Sequence, residues 1–206
     1  PPQRQTTAES GCRREQTRHS RAGGSTGEGG VERSRRFSRA RLAAEARLEG
    51  ARIAARALPL AVKNGHDIAA RSDMLMSSMM GAIAFQKDLG AVHSCAHALG
   101  AVCNMHHGLA NALMIDTVMA WNFEAVPQKF DELAHVCGVA GGGSAFVPWL
   151  KSLKASVGIH GGLIAHGVTE AHLPRLVDIA TRDICHQTNP RPCTGADFER
   201  LFLAAM

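Results

Sequence analysis

LGAVHSCAHALGAVCNMHHGLANALMI, residues 89 to 115, holds no Asp, Glu, Lys or Arg and yet carries four histidines: His93, His97, His106 and His107. A run this apolar belongs inside a protein, where an imidazole needs a hydrogen-bond partner or a metal to offset its desolvation. His93 and His97 are four residues apart, so on a helix they share one face about a turn from each other. His107 follows ten residues later, beyond Gly100 and just before Gly108, where the helical pattern should break into a loop and resume at Leu109. Three imidazoles can therefore converge. Spacing alone leaves two readings open: packed and satisfied core histidines, or a metal or catalytic set. The run is long enough to cross a bilayer, but its histidines, Asn104, Asn111 and glycine turns point to a protein interior and to no membrane partner.

Ser94 follows His93 where an HExxH motif needs Glu, which argues against a zinc protease. Cys95 and Cys103 fit no CxxC knuckle, and Cys95 points away from the His93/His97 face. Both read as small core hydrophobes. The six cysteines of the chain show no disulfide-framework spacing, which predicts reduced thiols and a cytoplasmic setting.

Working outward, helical spacing recurs over Arg39 to Leu58 with Pro59 as a candidate kink, and over Asp67 to Gln86 with Ser72 or Asp73 as a candidate cap. It recurs again over Leu109 to Phe123, Pro127 to Cys137, Ala145 to Val157 and Ala171 to Ile184. A last short helix starts at Thr194 or Gly195, where TGADFE supplies an N-terminal turn with acidic residues suited to the helix dipole. Glycine-rich breaks separate these segments, and no stretch alternates with the period of two that a half-buried strand needs. The reading is an all-α multi-helix bundle. Met74, Met76, Met79 and Met80 form a stripe at helical spacing, expected to pack in the core.

Residues 1 to 41 carry ten Arg against four Glu, so the chain's basic balance belongs to this end alone. From Pro1 to Ser38 the large apolar residues are Val31 and Phe37, among repeated Gly, Ser, Thr, Gln and Arg. Such a segment cannot bury enough surface to offset its ordering entropy, so 1–38 reads as a disordered basic tail and 39–206 as the helical domain. The tail lacks aromatic interleaving, RGG repeats and an apolar signal core, so neither nucleic acid nor export is expected. The plainest expectation is that this segment is not native family sequence and arises from a shifted reading frame or a misplaced start.

The segment from Gly81 to Asn122, GAIAFQKDLGAVHSCAHALGAVCNMHHGLANALMIDTVMAWN, resembles the signature region of the iron-containing (group III) alcohol dehydrogenases, with AF, LGAVH, AH, LG, HGLAN and VM in order. The likeness extends to Leu48–Leu75 and to CHQTNPRPCTGADFERLF, Cys185 to Phe202. The resemblance implies the C-terminal helical metal-binding domain of that fold. It implies His93 and His107, fourteen apart, as metal ligands, and His97 between them as the residue that moves the proton. His106 takes no role and is expected to face solvent. Ala98 and Asp88 stand where many members have Pro and Gly. The family's Asp-x-x-x-His ligand pair should lie upstream, and this chain has no Asp before Asp67. Gly141-Gly142-Gly143-Ser144 looks like the family's pyrophosphate loop, but it lies after the histidines and between helices, so it reads as a linker.

The resemblance thus implies an oxidoreductase interconverting an alcohol with an aldehyde or ketone, using Fe(II) or Zn(II) and NAD or NADP. The chain is read as lacking the dinucleotide domain and as inactive alone. The contrasting reading is a non-catalytic helical metal-binding remnant or a basic-armed adaptor. Homo-oligomerisation is compatible with either.

Overall fold

The computed structural model describes residues 28–85 and 89–206, with side chains described from 41 onward. Contacts divide the chain at Arg36/Phe37, and the unit Phe37–Met206 carries every candidate site residue. Among the described residues there are eight α-helices and no strand: α1 Glu28–Lys63, α2 Ile68–Ala84, α3 Ala91–Cys103, α4 His107–Phe123, α5 Pro127–Val136, α6 Gly143–Ser156, α7 Leu173–Arg182 and α8 Gly195–Ala205. Three single-turn 3₁₀ segments, Ile164–His166, Glu170–His172 and Ile184–Thr188, flank α7. None of the helices among the described residues is long and apolar enough to cross a membrane.

The centre of the fold is α3, which packs against α4 and α7. Its inward residues are small: Ala91, Cys95, Ala96 and Ala98 are almost completely buried beside Leu99. Small side chains let neighbouring helix backbones approach closely, so the helix that carries His93 and His97 is enclosed. Phe198 and Phe202 of α8 and Leu176 of α7 fill the other side of the same core, with Met114 and Val118 of α4. Burying a side chain of this size stabilises by about 1.5–3 kcal/mol. A second core lies between α5 and α6, where the rings of Phe130 and Phe146 meet edge to face at 5.8 Å. The half-buried ion pair of Lys154 with Asp116, at 2.5 Å, ties α6 to α4.

Several expectations shift. α1 begins at Glu28 rather than Arg39, because from Val31 to Glu49 the chain has neither Gly nor Pro and is rich in the helix formers Arg, Ala and Glu. The rest of the expected disordered tail, 1–27, lies outside the described residues. Asp67 caps α2, its side chain accepting from the Ala70 amide at 3.0 Å, so Ser72 and Asp73 lie inside the helix. The methionine stripe is divided: Met74 and Met80 are half-buried, whereas Met76 and Met79 are 44% and 52% exposed. Leu75 and Ile68 on the same helix are exposed as well. α1 packs on α2 at Met80 and Ser77, but no described element covers the face of Ile68, Leu75, Met76 and Met79. The glycine linker behaves as read. It joins α5 to α6, with positive φ at Gly141 and Gly142, and the Gly143 amide donates to Asp131 Oδ1 at 2.7 Å.

Candidate metal and proton-transfer site

The break between α3 and α4 is short because Asn104 ends α3 in the left-handed region, at φ 50°, a conformation Asn tolerates. The chain turns within Asn104 to His106, and α4 resumes at His107, earlier than the expected Leu109. The turn folds His107 back over the His93/His97 face. Ring centroids stand 6.0 Å apart for His93 and His97, 5.4 Å for His93 and His107, and 5.6 Å for His97 and His107. The three imidazoles form one cluster. His106 is exposed at the N-cap of α4 and stands outside it. Cys95 is fully buried, and burial pushes its thiol far above its ordinary value, in keeping with a core residue.

The start of α3 is fixed from a distance. Asn189 Oδ1 accepts from the Ala91 amide at 3.2 Å and from Asn122 Nδ2 at 3.1 Å, and Asn189 Nδ2 returns a bond to Asn122 Oδ1 at 2.7 Å. A Cβ on Gly90 would meet that Asn189 oxygen at 3.0 Å, so the position favours glycine. Thr188 Oγ1 donates to the Leu89 carbonyl at 2.8 Å. The segment after α7 therefore grips the turn that aims His93.

Each imidazole has its own surroundings. Burial lowers the proton affinity of His93, and the rings of His107 and His97 push the same way against the opposing charge of Asp183. That direction favours the neutral imidazole, the form in which a histidine can ligate a metal. His107 Nε2 accepts from Asn111 Nδ2 at 3.1 Å, and the same amide nitrogen donates to the His107 carbonyl at 2.9 Å. Asn111 Oδ1 is buried and has no partner among the described residues. His97 is 40% exposed along its side chain, and its Nδ1 meets Asp183 Oδ2 at 2.8 Å. Burial alone would raise the Asp183 pKa, but bonds from His97, the Cys185 amide and Ser94 outweigh it and bring it to about 2.

The imidazole pair fits a divalent ion. Two imidazoles bound at about 2.1 Å to one ion have centroids about 5 Å apart, and His93 and His107 stand at 5.4 Å with rings tilted by 50°. Among the described residues, ligand atoms of His97, Asp183 and Cys185 also lie within 4.8 Å of one another. There the Asp183 carboxylate already accepts from His97, Ser94 and both the amide and the thiol of Cys185, so this cluster reads as a hydrogen-bond hub. A cavity of about 450 Å³ opens beside His93, lined by Val92, Asn111, Ile115, Met119, Phe130 and Leu133 among others. Sequence reasoning found the three histidines and missed Asp183, Asn111 and Asn189. Asp183 and Asn189 lie far along the chain from the residues they hold, so no local spacing marks them.

The family model for the C-terminal part of the Fe-containing alcohol dehydrogenases matches residues 41–206. The probable alcohol dehydrogenase EutG of Escherichia coli (strain K12) is 36% identical over 152 residues, covering 73% of this chain and 38% of the relative. The NAD-dependent methanol dehydrogenase of Bacillus methanolicus is 32% identical over 157 residues, covering 72% of this chain and 41% of the relative. Among solved structures, a 1,3-propanediol oxidoreductase superposes with a TM-score of 0.77 at 30% identity, over 80% of this chain and 45% of that one. This chain thus spans about two-fifths of the curated relatives it matches. With the helical order, the histidine cluster and the matched span in agreement, the chain belongs to the iron-containing alcohol dehydrogenase family, of which it represents the C-terminal helical domain.

Proposed function

We propose that this chain is the metal-bearing part of an NAD- or NADP-dependent oxidoreductase that interconverts a small alcohol and the corresponding aldehyde or ketone. The observation that carries the reading is the convergence of His93, His97 and His107 within 6.0 Å, with only His97 tied to a carboxylate. His93 and His107 would hold Fe(II) or Zn(II), since neutral imidazole suits both. The ion, when bound, supplies Lewis-acid polarisation of the substrate oxygen. His97 is the proton-handling residue, because its Nδ1 is occupied by Asp183 while its other ring nitrogen is left to exchange a proton. The cavity beside His93 has room for a small alcohol, and its mostly apolar lining carries Arg47, Lys129 and Asn111 as polar groups. Relatives named for methanol, 4-hydroxybutyrate and 1,3-propanediol support small alcohols and aldehydes as the substrate class. No residue of this chain is assigned to the nicotinamide. We further infer a cytoplasmic setting, with which a homo-oligomer is compatible, and assign no partner role to nucleic acid or membrane.

Two titrations test the reading, one for the cofactor and one for the metal ligands. NADH fluorescence should be quenched by the protein if this chain takes part in cofactor binding, and left unchanged if it is a metal module alone. Zn(II) binding followed by calorimetry should be lost in His93→Ala and in His107→Ala and retained in His106→Ala. Unchanged binding in the first two variants would sink the ligand assignment.

A further inference from the structure

We propose that Asp183 is the positioning residue of His97, fixing the ring with its proton on Nδ1 so that Nε2 is the atom offered to substrate. The proposal rests on the reading of His97 as the proton-handling group. Asp183 stands where α7 ends and the 3₁₀ segment Ile184–Thr188 begins, and its carboxylate caps that segment by accepting from the Cys185 amide at 2.8 Å. The same oxygen, Oδ1, accepts from Ser94 Oγ at 2.9 Å. The other oxygen, Oδ2, meets His97 Nδ1 at 2.8 Å. Ser94 and His97 are three residues apart on α3 and so lie on the same side of the helix. One carboxylate therefore grips successive turns of α3 from across the helix interface.

The two oxygens are not equivalent. Oδ1 is held by a backbone amide and a hydroxyl, which prevents the carboxylate from rotating, and Oδ2 is the oxygen that meets the imidazole. An ionised carboxylate has no proton to give, so Nδ1 must be the donor. A neutral ring whose proton sits on Nδ1 carries its lone pair on Nε2. Ring orientation and tautomer are then set by one group, as carboxylates commonly set histidines that move protons. Without Asp183 the ring would be free to place its proton on either nitrogen, and part of the population would present an N–H where a lone pair is needed.

The isosteric substitution Asp183→Asn gives a directional test. Its oxygen should stay with the Cys185 amide and the Ser94 hydroxyl, which leaves the side-chain NH₂ facing His97. That group can only donate to Nδ1, so the proton must move to Nε2. Long-range ¹H–¹⁵N spectra of uniformly ¹⁵N-labelled protein, recorded at an alkaline pH where the ring is neutral and assigned with His97→Gln, report the tautomer directly. The expected result is Nδ1–H in the wild type and Nε2–H in Asp183→Asn. A wild-type ring protonated on Nε2 overturns the proposal even if the variant does not fold, and so does a folded variant with an unchanged tautomer. A tautomer that reverses as stated, in a protein showing neither NADH quenching nor metal binding, would leave Asp183 as the positioning residue while removing the proposed function.

Discussion

Asp183 also makes a prediction about acid stability. Its folded pKa of about 2 lies below the ordinary carboxylate value, so its contribution is fully present above pH 4 and is lost as pH falls toward 2. A shift of this size in a side chain only 17% exposed corresponds to about 2 kcal/mol. Urea unfolding at pH 5 and pH 2.5 should therefore show a smaller loss of stability in Asp183→Asn than in the wild type; equal losses would remove the carboxylate from the account. At this scale the histidines were legible, because an uncharged run with imidazoles four and fourteen residues apart constrains where the side chains can point. Asp183 was not legible. It lies 86 residues from His97, and an Asp in RDICH has no local mark distinguishing a buried hydrogen-bond hub from a surface carboxylate.

Helices show the same division between local and distant information. Their number and approximate limits follow from periodicity and caps, as at α8, where Thr194 and Asp197 form the reciprocal bonds expected of TGAD. Which face a neighbour covers is not in the periodicity. The stripe on α2 illustrates this, since Leu75, Met76 and Met79 share helical spacing and are all exposed, whereas Met114 of α4 is completely buried. Met76→Gln should change stability by less than about 0.5 kcal/mol, while Met114→Ala should lose about 2–5 kcal/mol. Thermal or denaturant unfolding of the two variants checks the contrast, and comparable losses would mean that α2 is covered. The buried amide pair Asn122 and Asn189 is a sharper case. Removing Asn189 leaves the Ala91 amide and both Asn122 groups without their partner, a loss of about 3 kcal/mol at the end of α3. Asn189→Ala should lower the unfolding midpoint by several degrees and broaden the His93 ring signals, because the turn that aims His93 would loosen. Asn189→Asp, which keeps the acceptor, should recover part of the stability.

For the molecule as a whole, the question is how tightly two imidazoles can hold an ion. Stable four-coordinate sites draw three or four protein ligands, and charged ones contribute most to affinity. On the proposed assignment His93 and His107 would supply two neutral ligands. His97 is engaged with Asp183. The expected outcome is weak binding, stripped by a chelator during dialysis. Because an ion that binds only the folded state stabilises it by RT ln(1 + [L]/Kd), the unfolding midpoint should keep rising with added Zn(II) well into the millimolar range instead of reaching a plateau at one equivalent. His93→Ala should flatten that dependence and His106→Ala should leave it as in the wild type. Stoichiometric metal surviving dialysis against chelator would show that further ligands complete the site, and the first residues to examine would then be Asp183 and Cys185, whose ligand atoms lie within 4.8 Å of that of His97.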